Sequence, residues 1–317
     1  MIGPLHTIMK FLKHTETAVL LFFVFASCTP RNTPDPGFTA MAPISFTGST
    51  EDPASRTTLR DETRTYWKGG SDQIGMFSAQ GRTSQGGTPP AYNVPFTAQN
   101  SASSSAFTGS MYWGEAGAEH TFYAYYPYDS GYSGGPTAVP VSLSSVQFQS
   151  GANNSSHIGP LDFMVGGAVK VNAPGTPGQV AEAVGLTFHH VFALIEFRIT
   201  GSGEQLSRVD LWGSHPLGFS GGTIDITQDP GAGNYTITDK VSTSTKMSVT
   251  FISPITLSTT PVSVFMMILP GTQETSRIEI TSNGTLKTLT KTPPAGGFMR
   301  GQKYVVTLDE GDFETAT

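Results

Sequence analysis

Apolar residues in this chain come in short bursts with a period of two, and none is sustained at helical spacing over the length of an ordinary helix. The bursts are punctuated by Gly, Pro, Ser and Thr, which is the pattern of strands joined by tight turns. With 36 glycines, 22 prolines and only 13% charged residues in 317, the chain lacks the Ala, Leu, Glu and Lys that long helices draw on. Strand-like segments recur at a spacing of roughly 8–12 residues, which favours antiparallel sandwiches over βαβ units. An all-β fold is expected.

The expected strands of the first half are 44–48, 74–78, 92–97, 111–113, 121–126, 139–143 and 163–171. In the first of these, Ile44 and Phe46 share one face. Residues 172–180 (NAPGTPGQV) are turn-formers and mark the boundary between two domains, 44–180 and 181–317. The second half opens on the strongest strand signal, 184–200, and continues with short strands to 304–308. A polar stretch, Ser49 to Arg64, separates the first strand from the rest and reads as an exposed, flexible loop carrying Arg56, Arg60 and Arg64.

The front end has its own signature. Lys10 and Lys13 precede an apolar run from Ala18 to Ala26, followed by Cys28, the only cysteine. A basic region, a short apolar region and a small-residue junction make an export signal. The run is too short for a membrane span, which takes about 20 apolar residues. Phe25-Ala26-Ser27-Cys28 resembles a bacterial lipobox, so residues 1–27 read as a signal peptide and Cys28 as the lipidated first residue of an outer-membrane lipoprotein. A plain cleaved signal with Cys28 as a spare thiol is the alternative. Residues 28–43, with Pro30, Pro34, Pro36 and Pro43, read as a tether. The signal takes away Lys10, Lys13 and Glu16, so 18 basic and 24 acidic residues become 16 and 23, net −7. Without a basic cluster, nucleic acid is not an expected partner. Without a second cysteine, stability must come from apolar burial.

No catalytic, cofactor or metal site is expected. His189 and His190 are adjacent on a strand and point to opposite faces, one into the core and one outward. The acids inside strands, Glu196, Asp210, Asp225 and Glu279, read as solvent-facing members of alternating strands. The aromatic cluster Tyr123, Tyr125, Tyr126 and Tyr128 alternates at strand period, so one face of it is expected to be buried.

An ordered set of segments resembles the fimbrillin family, the subunits of type V pili. The set runs Ile44-Ser45-Phe46, Arg56-Thr57-Thr58, Trp67, Asp72-Gln73-Ile74-Gly75-Met76-Phe77 and Met111-Tyr112-Trp113. It continues with Phe122-Tyr123-Ala124-Tyr125-Tyr126-Pro127-Tyr128, Leu161-Asp162-Phe163-Met164-Val165, Leu186 to Ala193 and Arg300-Gly301-Gln302-Lys303-Tyr304. The resemblance implies two tandem transthyretin-like antiparallel β-sandwiches and a structural, non-enzymatic role. It implies that an arginine-specific protease cuts after the first strand, at Arg56 or else at Arg60 or Arg64. The strand bearing Ile44 and Phe46 then leaves, and a strand from another fimbrial subunit fills the groove. Tyr304, Val306 and Leu308 are the candidate donor strand. The tail from Asp309 has four acids and one large apolar residue, Phe313, and is a poor groove filler, which points to a tip or accessory subunit. The residues after Cys28 are not acidic, unlike those of many surface-directed lipoproteins in such bacteria. A host or bacterial surface glycan or protein is a possible target. The alternative function is a monomeric surface lipoprotein that binds glycan through exposed aromatics such as Trp67, Trp113 and Tyr128.

Overall fold

Alternation at a period of two becomes strands throughout the computed structural model, which describes residues 41–51, 59–60, 64–229, 231 and 235–316. The expected signal peptide, Cys28, most of the expected tether and Arg56 lie outside the described residues. Arg60 and Arg64 are described by backbone alone, as register partners in a two-strand ladder, Leu59–Arg60 with Arg64–Thr65. Among the described residues there are strands, turns and two short 3-10 helices, and no α-helix.

Seven strands close into a barrel. Around it the order is Phe46–Thr50, Val184–His190, Met164–Asn172, Glu119–Tyr126, Gln73–Ser78, Ala91–Ala98 and Ser104–Gly109, which returns to Phe46–Thr50. Its interior is aromatic and includes Phe46, Trp67, Phe96, Phe107, Phe122 and Phe188. The three larger sheets build a second core. A sheet of Val262–Ile268, Ala193–Thr200 and Lys303–Asp309 accompanies a six-stranded sheet running from Glu314–Thr315 to Val146–Gln149. A three-stranded sheet of Ile237–Val241, Phe219–Ile224 and Val139–Leu143 completes it. Phe192, Phe197, Phe219 and Met247 lie in this core.

The pairing crosses residue 180 in both directions. Val139–Leu143 and Val146–Gln149 pair with strands of the second half, while Val184–His190 sits between Phe46–Thr50 and Met164–Asn172 in the barrel. Contact density places the described residues in one compact unit. The segment 184–200, expected as one strand, is two, Val184–His190 and Ala193–Thr200. Val191 and Phe192 between them are buried, and the chain changes sheet there. Continuous apolar character is what a strand shared by two cores requires, so periodicity alone does not reveal the break.

Candidate functional site: the strand that closes the barrel

Phe46–Thr50 runs parallel to Val184–His190 on one side and antiparallel to Ser104–Gly109 on the other. Both of its edges are paired, and it completes the barrel. The approach is already ordered: Met41 and Ala42 at the end of the expected tether are buried, and the Ile44 amide donates to the Met111 carbonyl at 2.8 Å. Inward residues alternate as Ile44, Phe46 and Gly48. Phe46 is 1% exposed and meets Phe96 and Phe122 edge-on at 4.9 and 5.2 Å. Burying Ile44 and Phe46 is worth roughly 1.5–3 kcal/mol each. At the third position there is no room for a side chain: a Cβ on Gly48 would lie 2.7 Å from the Phe107 ring and 3.1 Å from that of Phe188. The Gly48 carbonyl accepts from Trp67 Nε1 at 3.1 Å, and the Trp67 indole packs edge-on against Phe107, Tyr126 and Phe188.

The strand ends in a clasp. The Glu51 amide donates to the Phe188 carbonyl at 2.9 Å. Its carboxylate lies 2.6 Å from His189 Nδ1, accepts from the His190 amide at 3.1 Å and pairs with Arg300 Nη1 at 3.2 Å. Burial pushes the Glu51 carboxyl up, but the His189 hydrogen bond and charge, the Arg300 charge and the His190 amide outweigh it, leaving it below the usual carboxylate value. Arg300 also faces the Tyr235 ring at 5.8 Å. The two histidines diverge as strand geometry demands: His189 meets Glu51 at the surface, and fully buried His190 meets Asp162 Oδ1 at 2.8 Å.

Arg300 begins the segment that leads into the candidate donor strand, Lys303–Asp309. That strand lies parallel to Ala193–Thr200 and is an outer member of its three-stranded sheet. Leu308 is buried, Tyr304 and Val306 are half-buried, and Val305 is 48% exposed. A groove of about 350 Å³ runs beside it, lined by Ile195, Phe197, Phe298, Tyr304 and Val306. The acidic tail folds back on the molecule. Glu310 pairs with Lys287 at 2.7 Å, Phe313 is 6% exposed, and Glu314–Thr315 pairs with Thr285–Lys291.

Three readings of the sequence need correction. Trp67 and Trp113, named as exposed aromatics, are both completely buried, and Tyr128 is half-buried. The barrel interior takes the indoles because few residues fill so much apolar volume. Glu196, Asp210 and Glu279, expected to face solvent, are buried beside cations. Glu196 contacts Arg198 at 2.8 Å and Lys303 at 2.6 Å, and Asp210 contacts Arg208 at 3.0 Å and Lys246 at 2.9 Å. Glu279 takes Arg277 at 3.1 Å and the Trp212 indole at 2.7 Å. Asp225 is half-buried and caps its own turn through Thr227. In the aromatic cluster, Tyr125 and Tyr126 are both buried although adjacent, because they face different cores. Gly48, Glu51 and Trp67's contact with the strand went unread in the sequence. A glycine inside a strand pattern, marking a close approach of neighbouring groups, was the available signal for Gly48.

A cell adhesion candidate from Bacteroides ovatus ATCC 8483 superposes with a TM-score of 0.53 at 16% identity, over 87% of this chain and 96% of that one. One from Bacteroides uniformis ATCC 8492 gives 0.52 at 14% identity over the same shares. No curated protein matches the sequence. These likenesses show the fold. The family model described as fimbrillin-like matches residues 55–316, most of the chain, and the chain belongs to the fimbrillin-like family.

Proposed function

We infer that this chain is a fimbrial subunit of the cell surface, exported as a lipoprotein on Cys28 and matured by arginine-specific cleavage. Assembly proceeds by exchange of its first strand for a strand of another subunit. Family membership supports the fimbrial role. The exchange reading is carried by one observation: Phe46–Thr50 is inserted between Ser104–Gly109 and Val184–His190, with the arginine-bearing segment 52–64 directly after it. A cut there separates the strand covalently from both neighbours. Its departure would leave two strand edges with unpaired N–H and C=O groups and an apolar slot, which an incoming strand satisfies together.

Arg56 is the first choice for the cut, with Arg60 and Arg64 as alternatives. Tyr304, Val306 and Leu308 remain the candidate donor residues, and the tail docked on its own molecule supports a tip or accessory position. The division into an N-terminal unit, 44–180, and a C-terminal unit, 181–317, belongs to this proposal, with Val184–His190 lent to the first. The glycan-binding alternative loses Trp67 and Trp113, and no other observation favours it.

The test is incubation of residues 29–317 with an arginine-specific protease, followed by sequencing of the new N-terminus and an unboiled denaturing gel. Cleavage within 56–64, with a red shift of tryptophan emission when the strand leaves, is expected. An uncut segment, or a strand that stays in place once cut, would refute the exchange mechanism.

A further inference from the structure

If Phe46–Thr50 leaves with Glu51, the groups that held Glu51 stay behind, because His189, His190 and Arg300 all lie C-terminal to the arginine-bearing segment. The vacated groove would then end in a guanidinium, an imidazole and a backbone N–H converging on one point. This is a carboxylate site without its carboxylate. At its middle, the Phe107 and Phe188 rings leave space for a glycine and little more.

We propose that the strand received here belongs to a different subunit and carries a defined pattern. It has two large apolar residues at alternate positions, a glycine two residues on, and a carboxylate three residues after the glycine. This is the pattern of Ile44, Phe46, Gly48 and Glu51, and it deepens the strand-exchange reading on which it rests. Charge complementarity selects the acid, since a neutral residue would leave Arg300 facing His189 with no anion between them. Space selects the glycine. The candidate donor strand of a second copy of this chain does not fit in either register. With Tyr304 and Val306 in place of Ile44 and Phe46, Leu308 falls at the glycine position and Gly311 at the acid. With Tyr304 in place of Phe46, Asp309 meets the clasp but Val306 falls against Phe107. The groove therefore rejects the chain's own candidate donor strand and calls for one from a different subunit.

The test uses protein cut within 52–64 and freed of its first strand, with synthetic peptides and tryptophan emission as the readout. Peptide 41–51 should bind. Its Glu51→Gln form should dissociate about tenfold faster, the effect of losing hydrogen bonds to a charged group. Its Gly48→Val form should bind weakly, and peptide 303–312 should not compete. In protein carrying Arg300→Gln, the difference between the Glu and Gln peptides should shrink. Because the peptide substitutions leave the protein untouched, misfolding cannot mimic the result. Equal dissociation of the Glu and Gln peptides, or tight binding of 303–312, overturns the inference while strand exchange stands. If peptide 41–51 itself fails to enter, strand exchange falls and the inference falls with it.

Discussion

Two strands carry the proposed assembly, and they are held in opposite ways. Phe46–Thr50 is paired on both edges and preceded by Ile44, and its inward residues are 1–4% exposed where they have side chains. Lys303–Asp309 is paired within its sheet only to Ala193–Thr200, and of its residues only Leu308 is fully buried. Polar contacts secure its ends: Lys303 to Glu196 at 2.6 Å and Thr200 to Asp309 at 2.6 Å. The difference teaches what each strand needs in order to leave. Burial in a barrel would make departure costly, so in the proposed mechanism a covalent cut only permits it and an incoming strand must compensate. An outer strand held by charges is more easily exchanged. The Glu51–Arg300 pair joins the end of the first strand to the approach of the second.

The contrast can be broken by mutation. The largest effect is expected from Phe46→Ala, about 3–5 kcal/mol of lost stability in urea unfolding. Half-buried Val306→Ala should cost about 1 kcal/mol. Similar losses at the two positions would end the comparison. Lys303→Met removes one cation from buried Glu196 and should cost about 2 kcal/mol, and a loss near zero would mean that charge does not hold the outer strand. Acid sharpens the same point. Burial raises the Glu196 carboxyl, but hydrogen bonds from Arg198, Lys303 and Ser263 lower it from 4.5 to about 2. Glu51 is lowered as well. Both carboxyls bind fewer protons folded than unfolded, so their stabilisation is present above about pH 4.5 and is lost as pH falls toward 2. The urea midpoint should drop between pH 5 and pH 3, and less so in Glu196→Gln. The smallest effect is Val305→Thr, within about 0.5 kcal/mol because the side chain is exposed.

Legibility in the sequence followed the range of the interaction. Strand positions such as 121–126 and 139–143 were readable because alternation is local. The histidine pair's divergence was readable for the same reason. Burial of Glu196 and Asp210 was not, since a carboxylate enters a core only when cations from distant strands arrive with it. Lys303 lies more than a hundred residues from Glu196. Trp67 likewise reads as a potential surface aromatic until the rings of Phe107 and Phe188 enclose it.

What the amino-acid sequence determined by itself was the class of fold and the order of its parts: short alternating strands, an arginine-bearing segment after the first of them, and the family resemblance. Only the tertiary structure decided that Phe46–Thr50 closes a barrel, that 184–200 divides between two cores, and that Glu51, His189 and Arg300 meet. The physical reason is that alternation specifies which face of a strand is apolar but not which strand lies beside it. Partner choice is settled by packing and hydrogen bonding among segments far apart in the chain.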